Sequence, residues 1–241
     1  MLIGPHNLTL HVNHVRSRIT SAAVGAGRDP AAVTLVAVTK GQTAESMRLA
    51  ATAGVTDFGE NYLQEALPKM ARLADLKLRW HFIGAIQSNK TRAIAERFDW
   101  VHGVDRLSVA RRLSEQRPFH SPPLNVCIQV ELVPEPGKAG VAPAALPVLA
   151  AQMAVMPRIR LRGLMCLPPQ QADPKAERAV FAHLKGLLGD LNARGLKLDT
   201  LSMGMSADFE SAIAEGATLV RIGTALFGPR PIMARPGEQS P

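Results

Sequence analysis

Aromatic side chains make up only 4% of this 241-residue sequence, and cysteine occurs twice. Few aromatics means no stacking platform of the kind that holds single-stranded nucleic acid. Cys127 and Cys166 each sit in an apolar, strand-like run, with neither a second Cys nor a His at metal-ligand spacing, so both are expected as buried free thiols. The seven histidines are scattered, and His6, His11 and His14 fall on an expected N-terminal helix without carboxylates at matching spacing. No metal is expected. A membrane-spanning helix needs about 20 apolar residues and none is present, so no membrane association is expected. The opening Met1 to His6 lacks the basic region and apolar core of a secretory signal, and a cytoplasmic location follows as the expectation.

A net charge of +8 raises the question of phosphate-rich partners. The basic residues are dispersed, as at Arg111-Arg112 and at Arg158, Arg160 and Arg162, and acidic residues interleave elsewhere. No nucleic-acid partner is expected.

What the chain does contain is a regular alternation of strand-like and helix-like pattern at a length close to that of one α/β barrel, about 250 residues. An N-terminal helix is predicted over Asn7 to Ala26. Strands are predicted at Leu35–Lys40, Val55–Gly59, Trp80–Gly84, Trp100–Val104, Asn125–Leu132, Ile159–Leu167, Asp199–Met203 and Thr218–Ile222. Helices are predicted between them: Thr43 to Ala53 stopped by Gly54, one from Asn61, Asn89 to Phe98, Leu107 to Glu115, Pro143 to Met153, one capped by Asp173 and running to Asn192, and Ala207 to Glu215. Eight such units predict a single (β/α)8 barrel of the TIM type with an extra N-terminal helix, over residues 1–228. The tail 229–241, with Pro229, Pro231, Pro236 and Pro241, is expected to be disordered.

In a barrel of this kind the site lies at the C-terminal ends of the strands. Lys40, Glu60-Asn61, Gln87 through Lys90, Met165, Ser206 and Arg221 through Thr224 all fall there. Lys40 closes an apolar run and shares strand parity with Val36 and Val38. An amine on a packed face has its charged form disfavoured, which lowers its pKa from about 10.4 and makes it a nucleophile or Schiff-base former. The alternative is a strand that stops at Val38 and a lysine that reaches water.

At the other end, Ser202 to Asp208 leaves a strand, turns through Gly204 and sets Ser206 just before a helix, where free N–H groups and the helix dipole favour an anion. A plain helix cap is the competing role for Ser206. The adjacent Val220 to Thr224 segment adds Gly223 and the Thr224 hydroxyl, at the seventh and eighth strands where barrels often hold phosphate. Arg221 shares parity with Gly223; it either serves that pocket or pairs with a neighbouring carboxylate. An amine on the first strand and an anion cradle on the last two fit a phosphorylated aldehyde, of which pyridoxal 5′-phosphate (PLP) is one and a sugar-phosphate aldehyde another.

Six stretches together carry a family resemblance: Leu35 to Lys40; Phe58 to Tyr62; Trp80 to Gly84 with Gln87 and Asn89-Lys90; Gly163 to Met165; Leu201 to Ser206 with Asp208; and Val220 to Gly223 with Leu226 to Gly228. In these the chain resembles the pyridoxal phosphate homeostasis proteins, related in fold to the N-terminal barrel of alanine racemase. The resemblance implies PLP as cofactor, an aldimine to Lys40, phosphate contacts from Ser206, Gly223 and Thr224, Arg221 facing the pyridine nitrogen, and Asn61 near the cofactor. Gly41-Gln42-Thr43 departs from the family, which usually continues after the lysine with a second lysine and a proline.

Racemase relatives draw a second acid–base group, a tyrosine, from a separate C-terminal domain, which is not expected here. The one tyrosine of this sequence, Tyr62, is expected to pack. An always-protonated Arg221 at the ring nitrogen leaves that nitrogen unprotonated and the ring a poorer electron sink. The expected role is therefore a PLP carrier or buffer, a monomer that hands cofactor to PLP-dependent apo-enzymes, without strong turnover. The alternative is a low-activity PLP-dependent amino-acid racemase or lyase.

Overall fold

Residues 5–133, 139–169 and 173–228 are described by a computed structural model. The proline-rich segment 229–241, expected to be disordered, lies outside the described residues. Eight parallel strands close into a barrel in sequence order: β1 Thr34–Val38, β2 Asp57–Glu60, β3 Arg79–Phe82, β4 Trp100–Val104, β5 Leu124–Gln129, β6 Ile159–Met165, β7 Thr200–Ser202 and β8 Leu219–Ile222. Closure is made where Thr34 to Ala37 run alongside Leu219 to Ile222.

The helices are α1 Pro5–Gly25, α2 Ala44–Thr52, α3 Leu63–Arg72, α4 Thr91–Arg97, α5 Leu107–Gln116, α6 Leu146–Ala154, α7 Pro174–Ala193, α8 Phe209–Ala214 and α9 Thr224–Phe227. Their starts follow capping chemistry. Thr43 accepts a hydrogen bond from Ser46 N at the head of α2, and Asp173 accepts one from Lys175 N with Pro174 in the first turn of α7. In α1, Leu8, Val12, Val15, Ile19 and Ala23 recur at helical spacing and are buried, so this extra helix covers the barrel beside α2, α8 and α9.

Strand alternation sorts the core into two layers. Ala37, Phe58, Trp80, Phe82, Leu201, Val220 and Ile222 point outward into one large apolar cluster with the helices. Their neighbours Val36, Asp57, Gly59, His81, Ser202 and Arg221 point into the barrel. In β4 the register slips between Val101 and Val104. Alternation after the outward Val101 turns His102 inward, and the irregularity returns Val104 to the outer cluster. Apolar branched residues usually fill such interiors. Here a column of polar groups does.

Several strands are shorter than predicted. β1 ends at Val38, so Lys40 lies two residues past the strand rather than on it. β5 and β6 end at Gln129 and Met165, not at Leu132 and Leu167, because the apolar pattern continues into loops after the ladder bonds stop. The helix expected from Ala207 begins at Phe209, and α9 had no counterpart among the predicted helices.

Candidate functional site

A cavity of about 320 Å³ opens at the C-terminal end of the barrel. Lys40, Asn61, Ser206, Arg221, Gly223 and Thr224, the six residues singled out above, all line it. Such a volume suits a small cofactor. A larger groove of about 640 Å³ lies outside, between α1 and α8, but its charged groups are paired, Arg18 with Glu210 and Arg178 with Glu215, and it holds none of the six.

Lys40 is half-buried on the turn after β1. A clasp from α3 and β2 fixes that turn. Lys69 Nζ donates to the Thr39 carbonyl at 2.8 Å and to Glu60 Oε1 at 2.7 Å, the Thr39 hydroxyl donates to the same Glu60 oxygen at 2.6 Å, and Gly41 N donates to Glu65 Oε2 at 2.8 Å. Glu60 is fully buried between sheet and helix, and its other oxygen has no hydrogen-bond partner among the described residues. Burial raises its pKa, against the pull of Lys69 and Thr39. Glu60 thus ends β2 at the rim, as expected, but is not part of the cavity lining. Gln87 through Lys90 and Met165 are absent from the lining as well.

The segment that departs from the family has definite work. Gly41 N is held by Glu65, Gln42 lines the cavity, and Thr43 caps α2.

Asn61 follows β2, and its side-chain oxygen is buried without a partner among the described residues. Gly84 packs against its backbone so closely that a Cβ there would lie 2.2 Å from the Asn61 carbonyl oxygen. Only glycine permits that approach. Tyr62, next in sequence, is 58% exposed, so the expected packing role is corrected.

On the opposite wall, β7 leaves through Gly204 at φ +90°, where a Cβ would meet Ala212 Cβ at 2.6 Å. Ser206 does not cap the following helix. Asp208 is the N-cap of α8, and its carboxylate accepts from Met205 N. The Ser206 hydroxyl instead accepts from the backbone N–H of Gly223 and of Ala225, each at 3.3 Å, joining the turns after β7 and β8. Thr224 is exposed beside them at the head of α9.

Arg221 is 3% exposed. Its guanidinium donates to Ser202 Oγ at 2.6 Å and to the Cys166 carbonyl at 2.8 Å, a correction to the expected alternative of a carboxylate partner. Desolvation lowers its pKa, yet an arginine stays protonated. Sequence reasoning missed the apolar lining from Val38, Ile83 and Leu167, and the groups behind Arg221. Nothing local marked the partners of the buried His81. Both cysteines are buried, and burial pushes their thiols up to about 12.

A sequence profile described as the alanine racemase N-terminal domain matches residues 12–231. The chain is 61% identical to the pyridoxal phosphate homeostasis protein of Pseudomonas aeruginosa over 220 residues, spanning 91% of this chain and 94% of that protein. It is 46% identical to the protein of the same name from Escherichia coli over 228 residues, 93% and 96% of the two chains. PipY of Synechococcus elongatus, solved with PLP bound, superposes with a TM-score of 0.82 at 38% identity, over 92% of this chain and 100% of that one. Alanine racemase of Corynebacterium glutamicum shares the fold, with a TM-score of 0.68 at 17% identity, over 95% of this chain and 64% of that one. By profile, by relatives along nearly its whole length and by barrel, the chain belongs to the alanine racemase N-terminal domain family and, within it, to the pyridoxal phosphate homeostasis proteins.

Proposed function

We propose that this chain binds pyridoxal 5′-phosphate at the barrel mouth and serves PLP homeostasis as a cytoplasmic carrier or buffer. The observation that carries this reading is the convergence of a lysine amine, a buried guanidinium and a hydroxyl-and-amide cradle on one 320 Å³ cavity. The names of the relatives, and the PLP recorded in the PipY structure, support it.

The residues present fit the cofactor. Lys40 supplies the amine, and Ser206, Gly223 and Thr224 supply hydroxyls and backbone for the phosphate. Arg221 supplies donors only, which suits an unprotonated ring nitrogen, and Asn61 brings a buried side-chain oxygen without a partner among the described residues. When bound, the cofactor offers an aldehyde that condenses with the Lys40 amine with loss of water, and a ring that absorbs near the visible. Val38, Ile83 and Leu167 give the cavity apolar walls that would exclude water from a bound ring.

Holding is favoured over turnover because, of the described lining residues, only Lys40 and Arg221 are ionisable, and Arg221 takes up no proton. Racemisation needs an acid–base group on each face of the substrate carbon. The exposed Tyr62 does not line the cavity. A monomer delivering cofactor to PLP-dependent apo-enzymes completes the proposal.

The experiment is to incubate the PLP-loaded protein with L- and D-amino acids in deuterium oxide and follow the α-position by NMR. Exchange no faster than with free PLP supports a holder. Exchange at a catalytic rate, lost in Lys40→Ala, would establish the racemase or lyase reading instead.

A further inference from the structure

Five buried side chains from five strands form one unbroken line of hydrogen bonds through the barrel interior. Asp57 on β2 takes His81 Nε2 at 3.0 Å; His81 Nδ1 on β3 meets His102 Nε2 at 3.0 Å; His102 Nδ1 on β4 meets the Ser202 hydroxyl of β7 at 2.7 Å; and Ser202 Oγ receives Arg221 Nη1 of β8 at 2.6 Å. None is more than 3% exposed. Asp57 lies at the start of β2, gripped by Arg79 and Thr56, whereas Arg221 reaches the cavity at the other end.

Counting protons leaves one arrangement. Burial pushes the Asp57 carboxyl up, but the bonds from His81, Arg79 and Thr56 outweigh it and hold the group at about 2, so it is an acceptor. His81 therefore carries its proton on Nε2. Desolvation lowers the pKa of both histidines, so each is neutral and keeps one bare nitrogen. His81 Nδ1 must accept, which puts the His102 proton on Nε2, leaves His102 Nδ1 to accept, and commits the Ser202 hydroxyl proton to it. The serine oxygen is then turned toward Arg221 as an acceptor. Every donor meets an acceptor, from the guanidinium to the carboxylate.

We propose that Ser202 and His102, anchored through His81 on Asp57, are positioning residues that hold the Arg221 guanidinium in place for the ring nitrogen of the bound cofactor. This rests on PLP occupying the cavity with its ring nitrogen toward Arg221. With Nη1 held by Ser202 and Nη2 by the Cys166 carbonyl, the guanidinium plane is fixed before any ligand arrives. Without Ser202, Nη1 and His102 Nδ1 both lose a partner inside the barrel.

The test compares PLP with 1-deaza-PLP, which has a C–H in place of the ring nitrogen, on the full chain as wild type, Ser202→Ala and Asp57→Asn, with circular dichroism confirming the fold. Ser202→Ala is expected to weaken PLP by about tenfold while changing 1-deaza-PLP affinity little. Should Ser202→Ala not fold, Asp57→Asn carries the same comparison from the far end of the line. Imidazole ¹⁵N spectra of the ligand-free wild type should show two neutral Nε2–H histidines that do not exchange with solvent. Equal weakening of both probes, or either buried histidine as the Nδ1–H tautomer or charged at neutral pH, overturns the proposal. Failure of the wild type to bind either probe overturns the cofactor reading instead.

Discussion

Ser206 Oγ lies 3.3 Å from the backbone nitrogen of Gly223, so a single hydroxyl ties the turn after β7 to the turn after β8. The same oxygen reaches Ala225 N. On the proposed reading this tether lies at the phosphate end of the cavity.

Replacing it separates two roles. Ser206→Ala removes two long hydrogen bonds at a half-buried position, and a stability loss of about 1 kcal/mol or less is expected. PLP affinity should fall about tenfold or more, since a hydrogen bond to a charged group contributes about 1.5–3 kcal/mol. Pyridoxal, which lacks the phosphate, should bind Ser206→Ala and wild type alike. Titration of both ligands checks this, and an equal loss for pyridoxal would remove Ser206 from the phosphate end.

Lys69 is the counterion of a carboxylate with no access to water. Lys69→Met strands Glu60 and releases the Thr39 carbonyl, and breaking a buried pair from one side costs about 3–5 kcal/mol. Because burial already raises the Glu60 pKa, protonation relieves the loss in acid. Urea unfolding of Lys69→Met should therefore show a larger deficit at pH 8 than at pH 5. Glu60→Gln with Lys69→Met should recover much of it; a double variant no better than the single would place the cost elsewhere.

Gly84 touches the Asn61 backbone where no Cβ fits. Gly84→Ala should cost about 3 kcal/mol or more, as overpacking against main chain does, and should displace Asn61 from the cavity. Melting curves and PLP titration read the two effects. A variant with wild-type stability and affinity would contradict the contact.

Acid should destabilise the fold in two stages. His81 and His102 have folded pKa values below the ordinary 6.5, so between those values and 6.5 the unfolded chain binds protons that the native chain refuses. Their contribution is complete above about pH 6.5 and is lost as pH falls, at up to about 1.4 kcal/mol per pH unit for each histidine. Asp57, held at about 2 against an ordinary 3.8, is lost lower still. Glu60 and Asp208, raised by burial, act with the opposite sign. Stability measured by urea from pH 8 to 5 should fall, and the slope should be shallower in His102→Gln. A flat profile would mean the pair is charged or solvated in the native state.

The barrel was legible because its cues are local. Period-two apolar runs bounded by turns marked each strand, β4 at its true limits from Trp100 to Val104, and Thr43 and Asp173 announced their helices through cap chemistry. Strand ends were less so: Cys166-Leu167 continues the apolar pattern of β6, but Leu167 faces the cavity. Barrel topology gathered the six candidate residues at the strand ends together with Glu60, Gln87 through Lys90 and Met165, which do not line the cavity, and the family resemblance singled the six out. What no local signal carried is contact between strands distant in sequence. The clasp of Lys69 on Thr39, the Ser206 tether and the line from Asp57 to Arg221 each join two or more such segments, and each appears only when the sheet closes.

The most direct test is borohydride reduction of the PLP-loaded protein followed by peptide mass mapping. The phosphopyridoxyl group should sit on Lys40, and the visible band should be absent in Lys40→Ala although that variant folds. A label on any other lysine with Lys40 unmodified, or a wild-type band retained in Lys40→Ala, would contradict the account.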